Sequence, residues 1–351
     1  MSFSVGIINT ALLSFGSSGR VFHAPLLQAH PSFRLSGCWE RSTKVLTRLY
    51  PSATSYDTLE QVLSDPSIDL VIVNTPTATH YEYTRKALEH GKHAVTEKAF
   101  TTTAEEAMTL QQLAQEKQRR LAVFQNRRWD SDFQSVCRVL QEGRLGDVVE
   151  ANLAFARYRP ELSPKKHKEE PGPGAGIIKD LGAHVIDQAL LLFGMPDAVF
   201  ADIGVTRESS KVDDYFDILL VYPDKHVHAK GGYFYKQPTP EYAIFGKRGS
   251  FLKTRSDVQE AQLRGGMTPD DDNYGIEPDS AAGRLCLDDA GHTVEQEIIS
   301  PRGNYLKFYD GLYESIVHDR NEPVTAVEGI RVMQMIDAAF ESHREGRLVR
   351  F

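Results

Sequence analysis

One segment of the chain combines a histidine with carboxylates at helical spacing. Asp180, His184 and Asp187 occupy positions i, i+4 and i+7 of IIKDLGAHVIDQALLLFG, so an α-helix would place them on one face. A carboxylate one turn away can fix the tautomer of an imidazole and raise its basicity. A lone helical histidine is more often structural, but this spacing favours His184 as a general base oriented by Asp180.

A lysine, Lys98, stands at the end of an expected strand, in the sequence TEKAF. Lysines at strand ends are usually only solvated. At a ligand-binding edge, however, the Lys98 ammonium could hydrogen-bond a reacting oxygen and stabilise the negative charge that develops there. Glu97, its neighbour, could orient that ammonium or balance its charge.

A glycine turn, SFGSSG, follows the first apolar run of the chain. A strand that ends in such a turn aims the N–H groups and the positive dipole end of the next helix at an anion. The turn is similar to a G-x-G-x-x-G dinucleotide fingerprint whose first glycine is replaced by serine. It predicts that a pyrophosphate is bound by Ser14, Phe15, Gly16, Ser17, Ser18 and Gly19.

Two charged residues at the end of the second expected strand bear on the choice of dinucleotide. Glu40 follows Gly16 at near the spacing at which an acidic side chain binds the adenine ribose of NAD. Arg41 could instead pair with the 2′-phosphate of NADP. In isolation a surface Glu-Arg pair at the start of a helix is the simpler interpretation, and the choice between NAD and NADP stays open.

The elements around these residues alternate between strand and helix over the first third of the chain. Strands are expected at residues 34–40, 68–76, 92–98 and 120–126, and helices at 58–65, 79–91 and 103–118. Thr103 and Glu106 have the spacing of a capping box. This alternation predicts right-handed crossovers and a doubly wound parallel sheet, with Gly16, Glu40, Lys98 and residues 74–76 at one edge.

The pattern changes after residue 125. A helix at 131–142 and a strand at 147–158 lead into a charged, Pro- and Gly-rich loop at 161–176 and the helix that carries His184. Strand-like runs with short connections then predict an antiparallel sheet, and two helices are expected near 304–319 and 325–343. We therefore expect two domains, residues 1–125 and 126–351.

Composition limits the classes of function. The 351 residues carry a formal net charge of −8, which gives no electrostatic reason to expect a nucleic acid or an acidic membrane as partner. Three widely spaced cysteines without a C-x-x-C indicate reduced thiols, a cytoplasmic location and no structural zinc. His226 and His228 lack a nearby third ligand, so no metal site is expected.

Taken together, these segments resemble the Gfo/Idh/MocA oxidoreductase family, most closely its bacterial scyllo-inositol dehydrogenase-like branch. The resemblance rests on the glycine turn with FHAPLL and on VNTPTATH, EKA, NRRWDSDF, RYRP, GIIKDLGAHVIDQALLLFG and FGKRGSF, which span nearly the whole chain. Ser14 for the first glycine and Ala99 for the proline after the catalytic lysine depart from the family pattern. The second departure makes the turn that aims Lys98 less rigid.

The resemblance implies a Rossmann domain, an α/β domain with an open, mostly antiparallel sheet, a nicotinamide cofactor and a sugar or cyclitol substrate. It assigns catalysis to Lys98, Asp180 and His184. It implies that Thr75, Pro76 and His80 line the cofactor. Their position at the same edge of the sheet makes Glu40, Arg41, Asn74, Glu97 and Lys98 further expected cofactor-binding residues. Expected at the substrate are Asn126, Arg127, Arg128 and Tyr158, together with the three catalytic residues.

The expected reaction is oxidation of a secondary hydroxyl to a ketone, with NAD or NADP as hydride acceptor. Two other functions stay open at this point: an NAD-dependent glycosidase of the same fold, and a non-catalytic sensor of dinucleotide or sugar. The presence of both Lys98 and His184 argues against the sensor, because a protein that only binds a ligand needs neither residue. An open sheet with one face uncovered by helices also predicts a homodimer or homotetramer.

Overall fold

The computed structural model describes residues 6–41, 43–237 and 239–351. The chain forms two compact units. The first comprises Met1–Asn126, Gln259–Tyr274 and Asn304–Ile330, and the second comprises Arg127–Val258, Gly275–Gly303 and Arg331–Phe351. Two late segments therefore belong to the first unit, whereas a division at residue 125 places them in the second part of the chain.

The first unit is built on a six-stranded parallel sheet, as predicted. The strand order is β3-β2-β1-β4-β5-β6, which reverses direction of winding between β1 and β4. Every residue of β4 is fully buried, because helices cover both faces of such a sheet. The strands are β1 Ile8–Leu12, β2 Phe33–Trp39, β3 Thr54–Tyr56, β4 Leu70–Val73, β5 His93–Glu97 and β6 Leu121–Phe124.

Two of the helices that cover this sheet, α3 and α5, begin at side-chain caps. Thr58 and Gln61 form a complete capping box at α3. At α5 the Thr103 side chain accepts from the Glu106 N–H, but the Glu106 carboxylate accepts from the N–H and hydroxyl of Thr102, so only half of the expected box forms. The helices are α1 Ala24–Ala29, α2 Leu46–Leu49, α3 Leu59–Ser64, α4 His80–Glu89 and α5 Ala104–Glu116, with a π-helical turn at Gly19–His23 and a 3₁₀ turn at Thr77–Thr79.

The late segments complete the core of the first unit. They contain α9 (Gln259–Arg264), α10 (Leu306–His318) and the start of α11 (Ala326–Glu345). The Phe308 ring lies 4.9 Å from that of Phe124, and the Tyr309 ring lies 5.4 Å from that of Phe33. The Val123 N–H donates to the carbonyl of Val324 at 3.1 Å. These aromatic rings cover β2 and β6 from a distant part of the chain.

The second unit contains a nine-stranded, mostly antiparallel sheet. Its order is β14-β13-β12-β11-β7-β10-β9-β8-β15, and only β7 and β10 run parallel among its described pairs. The helix α8 packs on β7 and β10, and α6 packs on β12. The strands are β7 Val148–Ala156, β8 Ala198–Gly204, β9 Tyr215–Val221, β10 His226–Gly232, β11 Tyr242–Gly246, β12 Gly249–Lys253, β13 Gly283–Asp289, β14 His292–Ile298 and β15 Val349–Arg350.

The helix that carries His184 is not uniform. A π-helical turn, Ile178–Gly182, precedes α8 (Ala183–Phe193), and the Ala183 N–H donates to the carbonyl of Ile178, five residues back. This unit also contains α6 Ser131–Gln141, the short α7 Lys166–Glu169 and the part of α11 after residue 330. 3₁₀ turns lie at Asn126–Trp129 and Asp279–Ala281. Among the described residues, no helix is long and apolar enough to cross a membrane.

Candidate active site

The glycine turn lies at the carboxyl end of β1, beside the point where the strand order reverses. The Ser14 N–H donates to Asn74 Oδ1 at 3.0 Å, and Asn74 Nδ2 donates to the Ser14 carbonyl at 2.7 Å. Asn74 follows β4, so its amide joins the ends of two neighbouring strands. The position is the one at which open α/β sheets bind their ligands.

The geometry of this turn fits a dinucleotide pyrophosphate. Helical conformation begins at Ser17, so the first N–H groups of a helix face the turn. A Cβ on Gly16 would meet only Ser14 Oγ, at 3.3 Å, so the backbone there is open to a close ligand. A Cβ on Gly19 would overlap the Ser14 carbonyl oxygen, so this position requires glycine for the turn itself. Ser14 Oγ accepts from the Gly16 N–H at 3.2 Å, which gives the serine a role in the turn.

Glu40 is bonded within the fold. Its Oε1 accepts from the N–H groups of Val45 (2.8 Å) and Leu46 (3.1 Å), and its Oε2 accepts from Ser55 Oγ at 2.6 Å. The residue is 5 % exposed. Arg41 is exposed, with its guanidinium carbon 5.6 Å from the Trp39 ring centre. At the end of β2, therefore, the Arg41 guanidinium is more accessible to solvent than the Glu40 carboxylate.

His80 links the end of β4 to the residue after Lys98. Its two ring nitrogens each lie 2.8 Å from a carbonyl oxygen, that of Ala99 and that of Thr75. Burial lowers the pKa of His80, and the hydrogen bonds to the two carbonyl groups partly oppose that shift. Thr75 Oγ1 also shares a hydrogen bond with Thr79 Oγ1, and Pro76 begins the following turn. His80 therefore positions the segment that follows Lys98.

Glu97 connects the glycine turn with the strand end that carries Lys98. Ser18 Oγ donates to Glu97 Oε1, which also lies 3.2 Å from His23 Nε2. The Lys98 N–H donates to Glu97 Oε2 at 3.2 Å, and His23 Nδ1 lies 2.8 Å from Tyr309 Oη. Burial opposes ionisation of Glu97, but bonding to His23 and Ser18 and the charge of Lys98 lower its pKa to about 2. Glu97 is thus held as a carboxylate between the two functional segments.

In the second unit, the carboxylates that flank His184 bind cations. Lys168 Nζ donates to Asp180 Oδ2 at 2.5 Å, which joins the π-helical turn to the charged loop at 161–176. Arg128 donates to Asp187 through Nε (2.8 Å) and Nη2 (2.6 Å), with both residues buried. Orientation of His184 by Asp180 stays a prediction.

His184 is 5 % exposed, and its ring centre lies 6.3 Å from that of Phe155. Three guanidinium groups surround the same Phe155 ring: those of Arg127 (5.8 Å), Arg157 (4.6 Å) and Arg255 (4.4 Å). The expected base therefore has cations and one aromatic ring in its vicinity, a setting that suits oxygen-rich ligands.

The other expected substrate residues differ in their surroundings. Asn126 is buried and ends the first segment of the first unit. Arg127 Nη1 lies 3.5 Å from Asp130 Oδ2, and its carbonyl accepts from Gln188 Nε2. Tyr158 is half-exposed, with Lys236 Nζ 5.0 Å from its ring centre. Substrate contact by these residues and by Arg128 stays a prediction.

Sequence analysis gave no site role to His23, Tyr309 or Arg264, which lie near these segments. His23 stands in the FHAPLL segment, directly after the glycine turn, so its position offered a signal. Tyr309 and Arg264 offered none, because each comes from a segment far along the chain that packs with the first unit. Among residues 6–41, 43–237 and 239–351, no three His, Cys, Asp or Glu side chains are arranged to hold a metal ion.

Two family profiles match the chain. One, described as an oxidoreductase family NAD-binding Rossmann fold (GFO_IDH_MocA), matches residues 8–125. The other, described as the C-terminal alpha/beta domain of the same oxidoreductase family, matches residues 138–351. The two profiles together account for most of the chain.

Individual relatives agree with these profiles. The scyllo-inositol 2-dehydrogenase (NADP(+)) IolW of Bacillus subtilis is 40% identical over 345 residues, which are 98% of this chain and 96% of that protein. A D-xylose 1-dehydrogenase (NADP(+)) of Haloferax volcanii is 24% identical over 296 residues, 84% of each chain. The solved structure of the oxidoreductase yvaA from Bacillus subtilis superposes with a TM-score of 0.95, at 39% identity and with 99% of each chain covered.

Proposed function

The chain belongs to the Gfo/Idh/MocA oxidoreductase family and is an NAD(P)-dependent oxidoreductase, and we propose that it interconverts a secondary hydroxyl and a ketone on a sugar or cyclitol. One observation carries the proposal. Glu97 bonds both to Ser18 in the glycine turn and to the backbone of Lys98, so the segment fitted to the dinucleotide and the expected catalytic lysine share one carboxylate. Relatives that are named for inositol and xylose support a polyol substrate.

Each catalytic residue has a separate role in this proposal. A bound nicotinamide dinucleotide supplies reversible hydride exchange. Lys98 donates a hydrogen bond to the substrate oxygen and stabilises the negative charge that develops on it. His184 accepts the hydroxyl proton during oxidation and returns it during reduction, and Asp180 orients the imidazole.

We propose NADP as the preferred dinucleotide. A ribose-binding carboxylate selects NAD, but both oxygens of Glu40 already accept hydrogen bonds from the fold. Arg41 is exposed at the same strand end and is suited to a 2′-phosphate. Arg41→Gln should weaken NADPH binding and leave NADH binding unchanged, as measured by calorimetric titration.

A substrate panel tests the reaction. Inositol isomers and aldoses are incubated with NAD or NADP, and absorbance at the reduced-nicotinamide band is followed. The proposal predicts net reduction of the dinucleotide with at least one polyol. Release of an aglycone from a glycoside without net absorbance change would indicate the glycosidase instead, and dinucleotide binding without turnover on any polyol would contradict the proposal.

The oligomeric state and the location of the chain are proposals as well. We expect a homodimer or homotetramer formed through the open face of the nine-stranded sheet. A cytoplasmic location stays a prediction.

A further inference from the structure

Arg264 lies beside the glycine turn, although it comes from a distant part of the chain. Its Nη1 is 3.5 Å from Ser17 Oγ, and helix α9, which ends at Arg264, packs against the π-helical turn at Gly19–His23. Both segments belong to the first unit. A cation therefore stands next to the backbone that fits a pyrophosphate.

Helix α9 is fixed firmly enough to hold that cation in place. Gln259, at its start, is fully buried, and its Oε1 accepts from the Tyr305 N–H at 2.8 Å. Leu263, one turn later, is also buried. The helix is thus anchored on one side, while Arg264 extends from its last turn with its side chain 49 % exposed.

The guanidinium has different surroundings on its two sides. Nε and Nη2 donate to Glu260 Oε1 at 3.2 and 2.9 Å, which orients the group. Nη1 faces Ser17 at the long limit of a hydrogen bond, so this contact adds little to the stability of the fold. A diphosphate, in contrast, would gain a charge-assisted hydrogen bond from the same nitrogen.

We propose that Arg264 binds the pyrophosphate of the dinucleotide and completes, from the second half of the chain, the cradle formed by residues 14–19. The inference rests on the proposed function, since it requires that this turn receives the cofactor. Arg264 acts on the part that NAD and NADP have in common. Arg41, in contrast, is assigned to the 2′-phosphate that only NADP carries.

Calorimetric titration of the full chain with NADPH and with NADH tests the assignment. Arg264→Gln should raise the dissociation constant of both dinucleotides about fivefold, because a half-exposed charge-assisted bond is lost. Arg264→Lys should retain part of the affinity, since the charge remains without the guanidinium geometry. The melting temperature of both variants should stay at the wild-type value.

Arg85→Gln is the matched control. Arg85 is 37 % exposed and forms the same kind of i, i+4 pair, with Glu89 on α4. The Arg85→Gln substitution should leave the dissociation constants of NADPH and NADH unchanged. An Arg264→Gln variant that binds both dinucleotides like the wild type, or that loses affinity for NADPH alone, would overturn the assignment. A wild-type chain that binds neither dinucleotide would overturn the proposed function as well, so the two failures are distinguishable.

Discussion

At the residue scale, the proposed chemistry depends on two side chains with different tasks. His184→Ala should lower kcat by about 10²–10⁴-fold, the usual contribution of a positioned acid–base group. Lys98→Met should be comparably damaging, because it removes charge stabilisation at the reacting oxygen. Asp180→Asn should do less harm, because it only disturbs the orientation of the base. Steady-state kinetics on a verified polyol measure all three.

Dinucleotide binding supplies the control for these variants. His184→Ala should keep the wild-type dissociation constant for the dinucleotide. Lys98→Met should keep most of the affinity, since Lys98 is expected beside the cofactor but is not assigned to its phosphates or ribose. If His184→Ala kept near-full turnover, another group would have to act as base. Tyr158 would be tested first, because Asp187 is already bonded twice by Arg128.

Two glycines of the same turn should respond differently to substitution. Gly16→Val adds a side chain where the backbone is open, so the fold should persist while dinucleotide binding weakens at least tenfold. Gly19→Ala places a Cβ against the Ser14 carbonyl, so the melting temperature should fall as well. Titration and thermal unfolding separate the two effects. Unchanged affinity in a folded Gly16→Val variant would contradict the assignment of the turn.

At the element scale, Glu97 joins β5 to the turn after β1, and the energy of this connection should depend on pH. Its pKa of about 2 lies below the ordinary value of 4.5, so the folded chain binds fewer protons than the unfolded chain between these limits. Glu97 therefore stabilises the fold above about pH 4.5, and this stabilisation is lost as the pH falls toward 2. Glu97→Gln should lower the free energy of unfolding by about 1–3 kcal/mol at pH 7.

Urea unfolding at pH 7, 5, 4 and 3.5 measures this difference. The difference in free energy of unfolding between wild type and Glu97→Gln should be constant from pH 7 to 5 and should become smaller below pH 5. Glu89→Gln serves as the control, because Glu89 is exposed on α4 and its pair with Arg85 contributes little. A gap of the same size at every pH would show that the carboxylate charge has no part in the connection.

Many of the regular elements of both sheets were predictable, and the reason is visible in particular segments. The apolar run at β4 and the caps at Thr58 and Thr103 are local signals, and the structure follows them. The hairpin β13–β14 was missed. Its two-residue turn, Ala290-Gly291, has positive φ at both positions, but alanine is not the residue that usually signals such a turn. The mainly polar sequence of β14 hid the strand as well.

The candidate site was predictable only where its residues follow strands in sequence. Residues 14–19 and Lys98 could be placed at one edge because parallel strands end together. The inward bonding of Glu40 depends on Ser55 and on the start of α2, which no motif specifies. The contributions of Tyr309 and Arg264 required knowledge of tertiary packing.

At the scale of the whole molecule, the nine-stranded sheet has two different faces. On one face, Ala201, Ile218, Ala229 and Leu153 form a buried row across β8, β9, β10 and β7. On the other face, the side chains of the neighbouring row are partly exposed to solvent. This row consists of Phe200, Leu219, His228, Asn152, Ala243 and Leu252. A partly apolar sheet face of this kind is typical of a subunit interface.

Phe200→Asp should therefore weaken the proposed oligomer. Phe200 is 40 % exposed, so a charge there costs the isolated chain little but would be buried in an interface. Light scattering at micromolar concentration should report the oligomer for wild type and a smaller mass for the variant. Leu49→Asp, at an exposed position of the first unit, should leave the mass unchanged. A wild-type chain that is a stable monomer would contradict the expectation.

The late segments of the first unit have a consequence for biosynthesis. The ribosome synthesises the chain from the N-terminus, so the strands of the dinucleotide-binding unit are made early. Phe308, Tyr309 and Val324, which complete the core of that unit, are added only when synthesis is nearly complete. Until then Phe33 and Phe124 lack their aromatic cover, and each buried aromatic side chain is worth about 1.5–3 kcal/mol. The nascent chain should therefore expose apolar surface to chaperones for most of its translation, and a gene fragment cut after residue 125 should yield aggregating protein.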